Sequence, residues 1–190
     1  MIRLAERADV PAMLEIYAPY VRETTVTFEY ATPSAEEFAG RFDRISARYP
    51  WLVWEASGRI LGYAYADAAF SRAAYAWDAD LSIYLDWNAR GRAIGGRLYG
   101  CLEEILCRCG YHNLYALITG ENEASVRFHE RRGYALLGTL RESGWKFGRW
   151  LDVRWYGLRL REAGDPGEAP RAFRCAPEDL AVMARYSKEG

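Results

Sequence analysis

A strand-like run that passes through a glycine- and arginine-containing turn into a helix is the feature that most restricts this fold. The run is Asp80–Leu85, the turn is Arg90–Gly95, and a periodic helical segment extends from about Ile94 to Cys109. The first turn of a helix leaves backbone N–H groups without intrahelical partners, and the helix dipole adds positive potential there. The segment therefore predicts a site for a phosphate or pyrophosphate group.

The alternative interpretation of this segment is a tight connection that carries solvated arginines. Two common phosphate motifs are absent from the sequence. It contains no Gly-x-x-x-x-Gly-Lys-Ser/Thr string, and no Gly-x-Gly-x-x-Gly opens its first strand–helix unit. These absences argue against a P-loop enzyme and against a dinucleotide-binding fold.

The segment Arg90-Gly91-Arg92-Ala93-Ile94-Gly95 resembles the Arg/Gln-x-x-Gly-x-Gly/Ala pyrophosphate loop of the GNAT N-acetyltransferases, which bind acetyl-coenzyme A. The segment Asn122–Tyr134 is similar to that family's Asn-x-x-Ser/Ala…Gly-Phe/Tyr helix. Further segments resemble the phosphinothricin and methionine sulfoximine acetyltransferase subgroup. They are Val26–Glu29, Tyr49–Val53, Gly62–Tyr65 and Gly144–Asp152. The resemblance covers most of residues 2–160 and implies a GNAT fold, acetyl-CoA as co-substrate and a homodimer.

Ala93 occupies the position where the family usually has its middle glycine. If the backbone there takes a positive φ, alanine costs about 1–2 kcal/mol. If the residue lies in the first helical turn, alanine instead favours the helix. We favour the second case and expect a helical conformation for Ala93.

The length and composition bound the organisation of the chain. Its 190 residues, 51% of them hydrophobic, suffice for one core. We expect a GNAT acetyltransferase domain over residues 1–161, then a linker and tail over residues 162–190. Pro177–Tyr186 is either part of a poorly ordered tail or one short amphipathic helix.

Charge and hydropathy restrict the partners. A formal charge of −1 offers no general field for attracting nucleic acid or an anionic membrane. No apolar run reaches the ~18 residues that span a bilayer, and the N-terminus lacks a signal-peptide core. A cytoplasmic protein is therefore expected. The four cysteines form no Cys-x-x-Cys pair, so we predict packed thiols and no metal site.

Apolar periodicity and local end signals predict an α+β fold with a mixed central β-sheet flanked by helices. The predicted order is β-αα-βββ-α-β-α-ββ. Ser34 followed by Glu37 is a capping box, and Gly110 is placed to end the helix that begins near Ile94. Thr24–Glu29 is predicted to be extended.

Acetyl transfer to an amine requires a neutral amine, a donor for the developing oxyanion and a proton for the departing thiolate. No Ser/His/Asp or Cys/His arrangement is apparent, which favours direct attack. By resemblance, His129 is the candidate acid/base group, although a lone helical histidine is often structural. Asp80 falls where the subgroup usually has glutamate. It is either a base that acts on the ammonium through water or a solvated loop acid.

The resemblance also implies the groups that hold acetyl-CoA. Main-chain groups of one strand bind the pantetheine arm and polarise the thioester, and the turn and helix start hold the pyrophosphate. Asn122 hydrogen-bonds the pantetheine amide, although an ordinary helix N-cap would look the same. The strand and turn residues are Ile83, Tyr84, Leu85, Arg90, Gly91, Arg92, Ala93, Ile94, Gly95 and Gly96.

Arg72 matches an arginine of the subgroup in the loop before Tyr75. A guanidinium grips a carboxylate bidentately, so Arg72 is predicted to hold the α-carboxylate of a free amino acid. Phe28, Tyr75, Ser82 and Lys146 complete the predicted acceptor site. The alternative is that Arg72 is a surface residue and that most of the aromatic residues belong to the core.

These observations predict an enzyme that moves an acetyl group from acetyl-CoA to a small amino-acid-like amine in a ternary complex. One alternative is a peptide, protein or aminoglycoside N-acetyltransferase. A second is a non-catalytic acetyl-CoA-binding module, which the departures at Ala93, Asp80 and Glu121 favour.

Overall fold

The described residues form one mixed seven-stranded sheet with five α-helices. The computed structural model describes residues 1–162 and 164–188. The strands are β1 (Ile2–Leu4), β2 (Trp51–Ala56), β3 (Arg59–Ala68), β4 (Asp78–Leu85), β5 (Asn113–Thr119), β6 (Ala135–Lys146) and β7 (Arg149–Arg159). The helices are α1 (Val10–Glu23), α2 (Ala35–Ser46), α3 (Ile94–Cys109), α4 (Glu123–Arg131) and α5 (Pro177–Lys188). The predicted order and fold class are confirmed, with α5 added after β7.

The sheet has the strand order β1-β2-β3-β4-β5-β7-β6. Every neighbouring pair is antiparallel except β4 and β5, which are parallel. A parallel pair needs a crossover, and α3 supplies it. The parallel strands β4 and β5 therefore directly precede and directly follow α3 in the sequence.

Helices cover both faces of the sheet, and alternate residues of β4 show this directly. The ring of Tyr84 packs edge-on against Tyr17 of α1, with 4.8 Å between centroids. The side chains of Ile83 and Leu85 instead lie against Gly95 of α3. Successive strand residues point to opposite faces, so α1 and α3 cover opposite sides of β4.

Local sequence signals fix several helix ends. Ser34 Oγ accepts a hydrogen bond from Glu37 N at 3.1 Å, and Glu37 Oε2 accepts one from Ser34 N at 2.7 Å. This is the predicted capping box. Gly110 ends α3 in a left-handed conformation at φ 98°, which glycine adopts without steric cost. By contrast, residues 24–29 form an irregular segment rather than a strand.

The tail forms a helix that packs on α3 and β1. Val182 and Met183 of α5 join the main core, at 5% and 3% exposure. Tyr186 lies against Gly100, where a Cβ atom would come within 2.9 Å of the tyrosine ring. The amide of Ile2 donates to Ser187 Oγ at 2.6 Å and ties the tail to β1. No helix in the described part of the chain is long and apolar enough to cross a membrane.

We predict that Met183→Ala lowers the free energy of unfolding by about 2 kcal/mol or more, because truncating a buried methionine leaves a cavity. The matched control is Leu180→Ala on the same helix. Leu180 is 58% exposed, so its truncation changes stability by less than about 0.5 kcal/mol. Urea titration of the full chain measures both. Equal effects would show that α5 does not pack as described.

Candidate active site

A cleft opens through the sheet where β4 and β5 separate. Their parallel pairing joins Asp78–Asp80 to Asn113–Tyr115 and ends there. Beyond this point the facing edges of the two strands border a narrow space of about 60 Å³ that α4 also lines. The residues around it include Ser82, Ile83, Tyr84, Asn122, Ser125 and His129. The fold thus brings together residues of β4 and α4 that lie between 38 and 47 positions apart in the sequence.

The turn before α3 has the features of an anion site. Gly91 takes φ 77°, and no side chain among the described residues caps the start of α3. Intrahelical bonding reaches Ala93 O from Arg97 N at 3.2 Å. The main-chain N–H groups of the preceding helical residues, up to Gly96, are therefore left for another acceptor.

The arginines of this turn are available for an anion. Arg90 stacks over the ring of Trp87, with 4.5 Å between the guanidinium carbon and the ring centroid. Arg92 is exposed. Neither residue has a carboxylate partner in the described part of the chain. Arg97, in contrast, lies over Trp54 at 5.5 Å.

Ala93 corrects one expectation from the sequence. Its backbone is left-handed, with φ 61° and ψ −2°, and α3 begins only at Ile94. The expected helical conformation is wrong, because the turn with positive φ at Gly91 and Ala93 continues up to the start of the helix at Ile94. A non-glycine residue in this region is strained by about 1–2 kcal/mol.

His129 lies on α4 and is only 3% exposed. Its Nδ1 is 2.8 Å from the carbonyl oxygen of Ser125, and its Nε2 is 2.9 Å from the hydroxyl of Tyr99. Burial lowers the pKa of His129 below its usual value, and the nearby Arg132 cation lowers it further. The ring is therefore neutral near pH 7 and is held from both sides.

Asp80 occupies the last position at which β4 pairs with β5, directly before the β4 residues that line the cleft. Its Oδ1 is buried and has no hydrogen-bond partner among the described residues. Burial, and then the charge of Asp67 opposite it on β3, raise the pKa of Asp80 to about 7. Asp67 is itself paired with Arg44 at 2.9 Å. A carboxyl group with this pKa can exchange a proton near neutral pH.

The cofactor-binding residues predicted on β4 and α4 differ in which hydrogen-bonding groups remain available to a ligand. The amide and carbonyl of Leu85 both bond the hydroxyl of Tyr20, at 3.1 and 2.7 Å. Ile83 and Tyr84 lie on the unpaired edge of the cleft. Asn122 caps α4 by accepting from Ser125 N at 3.2 Å. Its amide nitrogen has no partner in the described residues and can donate to a ligand carbonyl.

The predicted acceptor residues are spread more widely. Ser82 borders the cleft, whereas Arg72 and Tyr75 lie on the exposed β3–β4 loop. Lys146 is 2% exposed, and its ammonium donates to the carbonyls of Val21 and Thr27 at 2.8 and 2.7 Å. Burial lowers the pKa of Lys146. These hydrogen bonds therefore attach the segment between α1 and α2 to β6, the strand that carries Lys146.

Phe28 belongs to that same segment and covers Gly144 of β6. A Cβ atom at Gly144 would come within 2.1 Å of the Phe28 ring, so only glycine allows this contact. The packing places the segment beside the cleft, and Val26 from it contributes to the lining. Phe28 therefore lies next to the cleft without lining it.

Two residues that contact His129 were missed by sequence analysis. Tyr99 is a fully buried residue of the α3 apolar stripe, and nothing in the sequence marks it as more than core. Ser125 lines the cleft beside His129. Its position three residues after Asn122 was a signal for a helix cap, and that signal did not indicate its contact with the imidazole.

A larger hollow of about 720 Å³ lies between α1 and the β2–β3 turn. It contains none of the predicted site residues. Its charged groups pair with each other, for example Arg3 with Asp9 and Glu55, both at 2.7 Å. The smaller cleft, with its unpaired polar atoms, is the better candidate for chemistry. The described residues contain no group of three or more His, Cys, Asp or Glu side chains that could hold a metal.

Residues 2–155 match the family model of the acetyltransferase (GNAT) domain. The chain belongs to the GNAT family. This GNAT chain is 36% identical over 152 residues to phosphinothricin N-acetyltransferase of Streptomyces viridochromogenes, covering 80% of this chain and 83% of the relative. It is 32% identical to the L-methionine sulfoximine/L-methionine sulfone acetyltransferase of Salmonella typhimurium, covering 87% and 97%.

A solved GNAT structure shows the same architecture. The phosphinothricin acetyltransferase of Sinorhizobium meliloti in complex with acetyl-CoA is 34% identical and superposes with a TM-score of 0.82. The match covers 94% of this chain and 96% of that one. The enzyme class and the predicted subgroup are thereby confirmed, and acetyl-CoA is the ligand of a structural neighbour.

We predict that Ala93→Gly stabilises this GNAT chain by about 1 kcal/mol, because glycine relieves the left-handed strain. Ala184→Gly is the matched control. Ala184 is exposed within α5, so glycine there destabilises by about 1 kcal/mol. Chemical denaturation distinguishes the two. A loss of stability at both positions would contradict the backbone conformation of Ala93.

Proposed function

We propose that this GNAT enzyme transfers the acetyl group of acetyl-CoA to the amino group of a small amino-acid-like substrate of the phosphinothricin or methionine sulfoximine type. The observation that carries this proposal is the cleft between β4 and β5. His129 of α4 lines it, and it opens directly after Asp80, the last residue of β4 that pairs with β5. The names of the relatives support this substrate class. Direct attack within a ternary complex needs no enzyme nucleophile.

The proposal assigns acetyl-CoA to the turn before α3 and to the cleft. Arg90 to Gly96 receive the pyrophosphate, since the helix start offers main-chain donors and positive potential. Ile83 and Tyr84 line the thioester end with their main chain. The amide of Asn122 donates to the pantetheine arm, in line with its free N–H groups.

Asp80 and His129 divide the proton transfers in this proposal. Asp80 removes a proton from the substrate ammonium, directly or through water, because its raised pKa makes it an effective base near neutrality. His129 supplies the proton that the departing thiolate takes. Its neutral resting state means that it must first be protonated. The two groups sit on different elements and can act on opposite sides of the reacting carbon.

The acceptor end of the proposal uses Arg72, Tyr75, Ser82, Phe28 and Lys146. Arg72 is exposed on a loop and is assigned to the α-carboxylate. Tyr75 packs on Phe70 at 4.5 Å between centroids, which braces that loop. Lys146 acts through the segment that carries Phe28. This arrangement favours small anionic amino acids over aminoglycosides, which are cationic.

The proposal includes a homodimer that covers the outer strands of the sheet. β6 is an edge strand, and large apolar side chains on β5 to β7 are exposed. They are Leu117, Leu136, Leu137, Leu140, Trp145, Phe147 and Trp150. An exposed apolar patch of this kind is typical of a protein interface.

The test of function is release of free thiol from acetyl-CoA in the presence of single amines. We expect turnover with phosphinothricin or methionine sulfoximine and little with peptides or aminoglycosides. Calorimetric titration with acetyl-CoA alone gives the binding constant independently. Tight binding without turnover on any amine would show a binding module, and no binding at millimolar concentration would remove the transferase proposal.

We predict that Asp80→Asn lowers kcat/KM by about 10²–10⁴-fold, since it removes the base. In the wild type, kcat/KM rises as pH increases through about 7, where Asp80 ionises, and the variant loses that rise.

The same substitution changes how stability depends on pH. Because the folded state raises the pKa of Asp80, the contribution of this group to the free energy of unfolding is full at low pH and is lost as pH rises through about 7. Asp80→Asn should therefore increase Tm more at pH 8 than at pH 5, and the opposite order would contradict this.

We predict that the wild type elutes as a dimer of 21.7 kDa chains and that Leu137→Glu shifts it to monomer, because a charge at an apolar interface is costly. Size-exclusion chromatography with light scattering measures the mass. Leu180→Glu on α5, an equally exposed leucine, is the control that keeps the dimer. A monomeric wild type at micromolar concentration would refute the interface.

A further inference from the structure

The two ring nitrogens of His129 both have partners within the protein. Nδ1 faces the carbonyl oxygen of Ser125 at 2.8 Å and its hydroxyl at 3.3 Å. Nε2 faces the hydroxyl of Tyr99 at 2.9 Å. A carbonyl oxygen only accepts, so Nδ1 must carry a hydrogen. In the neutral ring, Nε2 is then the acceptor and Tyr99 is the donor.

Tyr99 is closely packed on all sides by core residues. It is fully buried on α3, and its ring packs edge-on against His129 and Phe128, with centroids 5.2 and 5.3 Å apart. Arg132 lies over the Tyr99 ring at 5.7 Å and pairs with Glu103. A buried Nε2 without its donor would be a desolvated acceptor with no hydrogen bond, which is unfavourable. The hydroxyl is therefore placed to fix the ring.

We propose that Tyr99 is a positioning residue for His129. Its hydroxyl donates to Nε2, holds that edge of the ring in the core and leaves the Nδ1 edge beside Ser125 at the cleft. The idea rests on the proposed role of His129 in acetyl transfer. In the neutral ring the free lone pair is on Nε2, so the proton that charges His129 is taken up at Nε2, and the Tyr99 hydroxyl then turns to accept a hydrogen bond from it. The Nδ1–H group, beside Ser125 at the cleft, is then the proton that the charged ring can give up.

The position of Tyr99 on α3 gives this contact a further consequence. The same helix begins at the proposed anion site, and Tyr99 lies only five residues after Ile94. A helix is rigid over such a distance. Helix α3 thus provides the main-chain groups that would bind a diphosphate and also carries Tyr99, which contacts His129. The anion site and the acid/base group keep a fixed spacing.

The first measurement is the ¹⁵N NMR spectrum of the histidine rings in the wild type at pH 8. The chain has only two histidines, and His129→Gln assigns the signals. We expect His129 to show a protonated Nδ1 and an unprotonated, hydrogen-bonded Nε2. A protonated Nε2 would overturn the proposal without any variant or activity being needed.

The second measurement compares Tyr99→Phe with Tyr111→Phe, which removes the hydroxyl of another buried tyrosine remote from the cleft. Tyr99→Phe should move the Nε2 resonance of His129 downfield, lower kcat by about tenfold and leave KM for acetyl-CoA within about twofold. Tyr111→Phe should change none of these. An unmoved resonance or an unchanged kcat in Tyr99→Phe would overturn the proposal.

The two proposals fail in different ways. If the wild type binds acetyl-CoA but turns over no amine, the proposed function fails, while the NMR spectra still report the Tyr99–His129 contact. If turnover is normal and the spectra show no such contact, only the positioning role fails.

Discussion

Three residue pairs join β4 to β5, and the strands then diverge. The rest of the structure depends on this short parallel contact. The contact is long enough to hold the two halves of the sheet together at Asp80, yet it leaves main-chain groups of both strands unpaired beyond that point. Unpaired backbone in a sheet interior requires another partner. Here the divergence creates the cleft that Asn122 and His129 reach from α4.

Helix α3 connects the parts of the site. Its uncapped start offers main-chain donors, its buried face carries Tyr99, and its outer face receives α5 at Gly100. Because the helix is rigid and packs on β2, β3 and β4, its start and the Tyr99 side chain keep a fixed spacing. Ala93, with its strained positive φ, lies in the turn directly before this helix.

Patterns that act within a few residues predicted the local structure well. The Ser34–Glu37 capping box and the glycine at the end of α3 work through hydrogen bonds and φ angles of neighbouring residues, so the sequence is sufficient to identify them. The periodicity of α3 and the family's motif order gave the element order in the same way. Ala93 shows the limit of this approach. The local preference of alanine favours a helix, whereas its backbone in the folded chain is left-handed at φ 61°.

The sequence by itself determined the family and the order of strands and helices, because these depend on periodicity and motif spacing. It also singled out Ser82, Asn122 and His129, which line the cleft. Tertiary structure decided the rest. It buried Lys146 on the carbonyls of Val21 and Thr27, raised the pKa of Asp80 by desolvation and placed Tyr99 against His129. Each of these depends on distances and burial between residues far apart in the chain, and those quantities exist only once the chain has folded.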